Sequence, residues 1–404
     1  MADQTIKKVR QACISVMVLC LTLIAVYFIQ SKTTQVNAGT GTGDAEQTAE
    51  PEQFLQMGDG AFPSGGHSGN DAEASGWSLI FGADLPELVK QQGDYCVLIQ
   101  KNGGTLTKVA EEMIYRRLTV TMSDVTLSEE NIYRVCGKQL YAGAPDVPVV
   151  VIPEDQKNVP LVREPKTEEE DTLLSLALEE EDGKQEIVLE FNSVYEVTVT
   201  EDEEFVYLSL VRPYEKYDKI IVLDAGHGGN DPGTNGGGAT EASVNLAVVQ
   251  YAKEILDERD DIKVYYTRLN DTLPDLSTRV EFANALHADM LISVHCNHNP
   301  VRSINGVEVL YSKLQEGEKL TSYDLAGFCL DEVSTATGLK KNKLVERSSN
   351  LHIMKYCTMP SALIEFGYMS NRGDLNIILT EEAKRACAEA ICRAVDAAYA
   401  AMEK

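Results

Sequence analysis

Residues 217–404 read as an α/β layer fold, a mainly parallel sheet flanked by helices. A small β-rich domain (77–214), a flexible linker (33–76) and an N-terminal segment (1–32) carrying a transmembrane helix precede it. Three observations predict this arrangement. Apolar strand-like runs alternate with amphipathic helical stretches from Lys219 onward, the pattern of an α/β layer. Short β-branched runs of alternating polarity fill the middle of the chain. An uncharged, largely apolar run of 18 residues from Ala12 to Ile29 is about the length that crosses a bilayer as a helix, ~17–25 residues.

Lys7, Lys8 and Arg10 precede the apolar run and only Lys32 closely follows it, which puts the N-terminus in the cytoplasm and the rest outside. The competing reading is a cleaved signal peptide, with Val36-Asn37-Ala38 as the processing site, and either reading exports the remaining chain. From Thr33 to Gly76, Gly, Ser, Ala, Asp and Gln dominate, a composition that cannot bury a core and suits a tether.

In the β-rich segment, strands are expected at Tyr95–Ile99, Arg117–Thr121, Val149–Ile152, Glu186–Phe191 and Phe205–Leu210, which suggests a small β-sandwich. Pro148 and Pro153 bracket the third run and make it an edge strand. Between Glu154 and Glu204 there are 18 Asp and Glu against 4 Lys and Arg. Such a run reads as a solvated loop or linker; a calcium site is the sharper alternative, but no ordered ligand loop accompanies it.

The last segment supplies strands at Lys219–Leu223, Ile262–Thr267, Met290–Val294, Val307–Tyr311 and Ala362–Phe366. Helices are expected over Ser243–Asp257, Leu276–Leu286 and Tyr323–Thr337, with a long Ala-rich helix starting at Thr380. The net charge of −27 argues against a nucleic-acid partner, whose phosphates draw affinity from clustered Lys and Arg. Nine cysteines lie outside any CxxC pairing, so a zinc finger or thioredoxin-like motif is excluded and most are expected as buried free thiols.

Ligands in α/β sheets gather at the carboxyl ends of strands. Three such ends carry reactive side chains: His227 in Asp224-Ala225-Gly226-His227-Gly228-Gly229, His295 in Ser293-Val294-His295-Cys296-Asn297, and Glu365 in Leu363-Ile364-Glu365-Phe366-Gly367. Glu241 follows at the start of a helix, after the Gly-rich loop Gly233 to Gly238. Two His and one carboxylate form a common catalytic zinc set, and a further carboxylate can carry protons. Each residue alone has a plainer role: a strand-end His as a hydrogen-bonded structural group, Glu241 as a favourable charge at a helix N-terminus.

These segments, together with Asn230-Asp231-Pro232-Gly233, Thr240-Glu241, Arg279 to Asn284 and Gly367-Tyr368-Met369-Ser370-Asn371, resemble the N-acetylmuramoyl-L-alanine amidases of the zinc-dependent amidase-3 family, in the family's order and over nearly all of 219–404. The resemblance implies Zn²⁺ on His227, Glu241 and His295, with Glu365 as the catalytic carboxylate. It implies peptidoglycan as substrate, cut between muramic acid and L-Ala. Cys296 stands where a small residue is usual; on a strand its side chain should point away from that of His295. Some relatives carry a long inserted helix over the site, for which the stretch from Tyr311 to Asn350 leaves little room. The β-rich segment faintly resembles wall-targeting modules, through which wall or division-machinery partners could act. Three rivals remain open: a Cys296–His295 nucleophile, a catalytically silent wall-binding or regulatory protein that keeps the fold, and a zinc carboxypeptidase acting on stem peptides.

Overall fold

Along Lys184–Phe191 buried and partly exposed residues alternate, so every second side chain enters a core while its neighbours face outward. The same logic organises the first part of the computed structural model, which describes residues 95–136, 139–142, 173–315 and 319–403. The expected transmembrane helix, the linker and the Val149–Ile152 strand lie outside the described residues. No helix among the described residues is long and apolar enough to cross a membrane.

Among the described residues nine strands come first: β1 Tyr95–Gln100, β2 Thr105–Glu112, β3 Arg117–Ser123, β4 Ile132–Cys136, β5 Gln139–Ala142, β6 Leu173–Glu181, β7 Lys184–Phe191, β8 Glu196–Glu201 and β9 Phe205–Val211. They form two antiparallel sheets, β5-β4-β1-β9-β8 and β2-β3-β7-β6. Val97 and Ile99 of one sheet share a core with Val120, Met122, Ile187 and Leu189 of the other, as in a sandwich. The acidic stretch expected as loop or linker is strand over β6, β7 and β8. On β7 the carboxylates Glu186 and Glu190 occupy the outward positions, so a period-two pattern underlies the charge there.

The remaining elements are β10 Ile220–Ala225, β11 Asn235–Gly236, β12 Ala239–Thr240, α1 Glu241–Leu256, β13 Lys263–Tyr266, α2 Leu276–Ala285, β14 Met290–Asn297, β15 Val307–Tyr311, α3 Ser322–Thr337, β16 Lys341–Glu346, α4 His352–Tyr356, β17 Ser361–Tyr368, α5 Arg372–Ile378 and α6 Glu381–Met402. Six strands make one sheet in the order β13-β10-β14-β17-β15-β16. All pairings are parallel except β15 with β17, so the sheet is mixed rather than wholly parallel. Every residue of β10 is buried, as a strand covered on both faces requires. Ile221 and Leu223 pack with residues of α1, α3 and α6, while Ile220 and Val222 pack with residues of α2 and α4. β16, α4 and α5 had no counterpart in the sequence pattern.

The sandwich meets the face covered by α2. Val194 joins the cluster containing Val222, Tyr265 and Phe282. Around it the Tyr265 hydroxyl donates to Glu196 Oε1 at 2.6 Å, Lys263 pairs with the same carboxylate at 3.0 Å, and Arg116 pairs with Glu281 at 2.8 Å.

Candidate active site

The carboxyl ends of β10, β14 and β17 are neighbours, and this adjacency assembles the site. On β14 and β17, His295 and Glu365 are direct register partners. Glu241 enters from the first residue of α1, whose cap is the Thr240 hydroxyl accepting from the Ser243 N–H. His227 follows β10 with a φ of 60°, a left-handed conformation costly for a non-glycine residue. Two arginines hold that turn. Arg279 donates to the carbonyls of Ala225 (2.7 Å) and His227 (2.9 Å); Arg268 donates to those of Ala225 (2.7 Å) and Gly226 (2.8 Å).

Beneath them lies Asp224, fully buried, which accepts from Arg279 at 2.5 Å, Ser293 at 2.5 Å and Thr267 at 2.6 Å. Burial alone would raise its pKa, but Arg279 and the two hydroxyls outweigh it and hold the carboxyl below the ordinary range. Gly226 is required by close approach: a Cβ there would lie 2.2 Å from the His295 ring.

The ligand atoms of His227, Glu241 and His295 all lie within 4.8 Å of one another. Glu241 Oε1 is 3.1 Å from His227 Nε2 and 2.9 Å from His295 Nδ1. Tetrahedral zinc with bonds of ~2.0–2.1 Å requires ligand separations of about 3.3 Å, so the donor set fits such an ion with small adjustments. Glu241 also accepts from the N–H groups of Cys296 (3.1 Å) and Thr234 (2.9 Å). Burial pushes Glu241 upward, yet hydrogen bonds from His227 and His295 prevail and keep it ionised well below the usual carboxylate range. His227 is raised to about 9, chiefly by its bond to Glu241 and further by Asp231.

Asp231 is a residue that sequence reasoning passed over. Its Oδ2 lies 2.7 Å from His227 Nδ1, which fixes the ring with Nε2 toward Glu241, the arrangement by which carboxylates orient metal-binding imidazoles. The i,i+4 spacing from His227 inside a Gly-rich loop was the available signal. Arg268, just beyond the carboxyl end of β13, was also missed, although the strand-end rule points to it.

Glu365 Oε2 is buried and has no hydrogen-bond partner among the described residues. Burial raises this carboxyl to about 7; His295 and His227 lower it, while Glu241 and Glu308 add repulsion. It faces a cleft of about 640 Å³ that also contains His227, Glu241 and His295, with Leu273, Leu276 and Leu351 on its apolar side. Cys296 stands apart from the ligand group, its side chain buried in the core and its sulfur 3.8 Å from Asn245 Oδ1. Burial holds its thiol well above the usual range, which disfavours a thiolate nucleophile. Between Tyr311 and Asn350 the described residues hold one helix, α3, so no inserted covering helix is present among them.

Fold and site first define a class: a layered α/β hydrolase with a donor set suited to a single metal ion and an unpartnered carboxylate beside it. Residues 221–397 match the family described as N-acetylmuramoyl-L-alanine amidase (Amidase_3). An uncharacterized protein of Bacillus subtilis, YqiI, is 33% identical over 181 residues, 45% of this chain and 85% of that protein. The germination-specific N-acetylmuramoyl-L-alanine amidase of the same organism is 32% identical over 175 residues, 40% of this chain and 71% of its own length. Among solved structures, the catalytic domain of the amidase CwlV from Bacillus (Paenibacillus) polymyxa var. colistinus is 29% identical with a TM-score of 0.42, covering 45% of this chain and 99% of that one. This chain belongs to the N-acetylmuramoyl-L-alanine amidase family.

Proposed function

We propose that the chain hydrolyses the amide between the lactyl group of N-acetylmuramic acid and L-Ala in peptidoglycan, with zinc held by His227, Glu241 and His295 and with Glu365 as the proton carrier. The observation that carries this reading is the convergence of three ligand atoms beside one buried, unpartnered carboxylate oxygen. A zinc ion in that set would polarise the amide carbonyl and acidify water at neutral pH. Glu365 Oε2 accepts the proton of the attacking water and returns it to the departing amine of L-Ala, a role suited to a carboxyl poised near neutrality. Asp231 keeps His227 in the required tautomer, and the apolar side of the cleft limits competing water.

In this reading 217–404 is the catalytic domain and 77–214 an accessory domain. The apolar run from Ala12 to Ile29 is a membrane anchor that holds both outside the cytoplasm, with 33–76 as the tether; signal cleavage remains the alternative. Digestion of purified peptidoglycan with the zinc-loaded chain tests the reaction. New free N-terminal L-Ala and intact muramic acid lactyl carboxylates are expected. Release of C-terminal stem residues instead would mark a carboxypeptidase.

A further inference from the structure

A second cavity, about 600 Å³, opens beside the catalytic cleft and shares Asn297 and His298 with it. Its cations are Lys340, Lys343 and Arg347, and its acid is Glu308, an unusual balance in a chain of net charge −27. Glu308 is buried and occupied: it accepts from Asn297 Nδ2 at 3.3 Å and Asn342 Nδ2 at 3.0 Å, with Lys343 Nζ at 3.6 Å. Among the described residues neither Lys340 nor Arg347 makes an ion pair. The pocket therefore presents an excess of positive charge, three cations to one buried carboxylate, around two amides that Glu308 holds in place, with Lys343 exposed at its edge.

Register fixes where this charge lies. Glu365 on β17 pairs with Glu308 on β15, and Glu308 pairs with Lys343 on β16. Two strand spacings of ~4.8 Å put the Lys343 backbone about 10 Å from that of Glu365. An extended peptide covers that span in about three residues.

The geometry points to this pocket as the subsite for the stem-peptide carboxylates carried two to three residues from the scissile amide, an inference that rests on the amidase reading. The glycan side of the substrate offers hydroxyls and acetamides without charge, so the cations match the peptide side. Lys343 and Arg347 would meet the carboxylates, while Asn297 and Asn342 donate to or accept from the peptide backbone.

Equilibrium binding of the free stem tripeptide, which has no scissile bond, to the zinc-loaded full chain reads the pocket without turnover. The tripeptide with free side-chain and second-residue carboxylates should bind at least about ten-fold more tightly than its diamidated form. The double substitution Lys343→Gln, Arg347→Gln should reduce that preference to within about two-fold, and Arg347→Lys alone should retain most of it. Equal binding of the two peptides by the unmodified chain, or an undiminished preference in the double variant, overturns the subsite. Peptidoglycan cleavage by the unmodified chain is scored separately. Absent cleavage with intact peptide preference would overturn the amidase reading and leave the pocket standing.

Discussion

The sandwich and the α/β sheet bury different things. Among the described residues of the sandwich, Arg134 is the one charged side chain in the buried set. The α/β part buries Asp224, Glu241, Arg268, Arg279, Glu308 and Asp374, and the first five lie in or around the two cavities beside the carboxyl ends of the strands. Burying charge carries a desolvation cost, and an apolar replacement often stabilises as much. Its concentration at one end of one sheet separates what holds the fold from what positions a reaction. The sandwich core could be rebuilt from any well-packed apolar set, but the Asp224–Arg279 pair could not be replaced without freeing the turn that carries His227.

That contrast can be broken at several strengths. The largest effect is expected at Glu365→Gln, which keeps shape but removes the base: turnover on peptidoglycan should fall by about 10² to 10⁴-fold with zinc content retained. His227→Ala on the same assays should lose zinc and activity together. If Glu365→Gln lost zinc in proportion to activity, its role would be that of a ligand. Next comes Asp224→Ala, which strands Arg279 in the interior and should cost about 3–5 kcal/mol in denaturant unfolding. The sign with pH follows from the lowered carboxyl: its contribution is complete above the unfolded Asp pKa of ~3.9 and is lost as pH falls through the folded value. Asp224→Asn should therefore flatten the acid limb of the stability profile; an unchanged limb would remove Asp224 as its source.

Asp231→Asn leaves all proposed ligands in place and should weaken zinc affinity about 10 to 100-fold in competition with a chelator. The smallest effect belongs to the sandwich. Ile187→Val, in its shared core, should cost about 0.5–1.5 kcal/mol of stability and leave kcat on peptidoglycan unaltered. A loss of turnover there would show that the sandwich shapes the site across the Val194 contact.

The proposed ligand set and base were legible because strand-end placement is a local property: His227, His295 and Glu365 each follow an apolar run. Their mutual positions were not, since the pairing of His295 with Glu365 depends on β14 and β17 being neighbours although their starts at Met290 and Ser361 are 71 residues apart, with β15, α3, β16 and α4 between them. Asp231 and Arg268 were overlooked because each acts through another residue rather than by a chemistry of its own type. β16 escaped for a different reason: Lys341, Lys343 and Glu346 interrupt its apolar residues, so periodicity alone reads it as loop. The acidic stretch misled in the same way at β7, its charge masking an alternation visible only against a second sheet.

Among the described residues β16 is also where the six-stranded sheet ends. An open sheet edge invites a second strand, from another molecule or from a neighbouring unfolding chain, and exposed lysines are a common defence against such pairing. Lys341 and Lys343 stand on that margin. A change made there to tune substrate choice would therefore also alter colloidal behaviour: neutralising both lysines leaves a flatter, less repulsive border, and self-association at high concentration becomes a property to monitor in any variant with redesigned specificity.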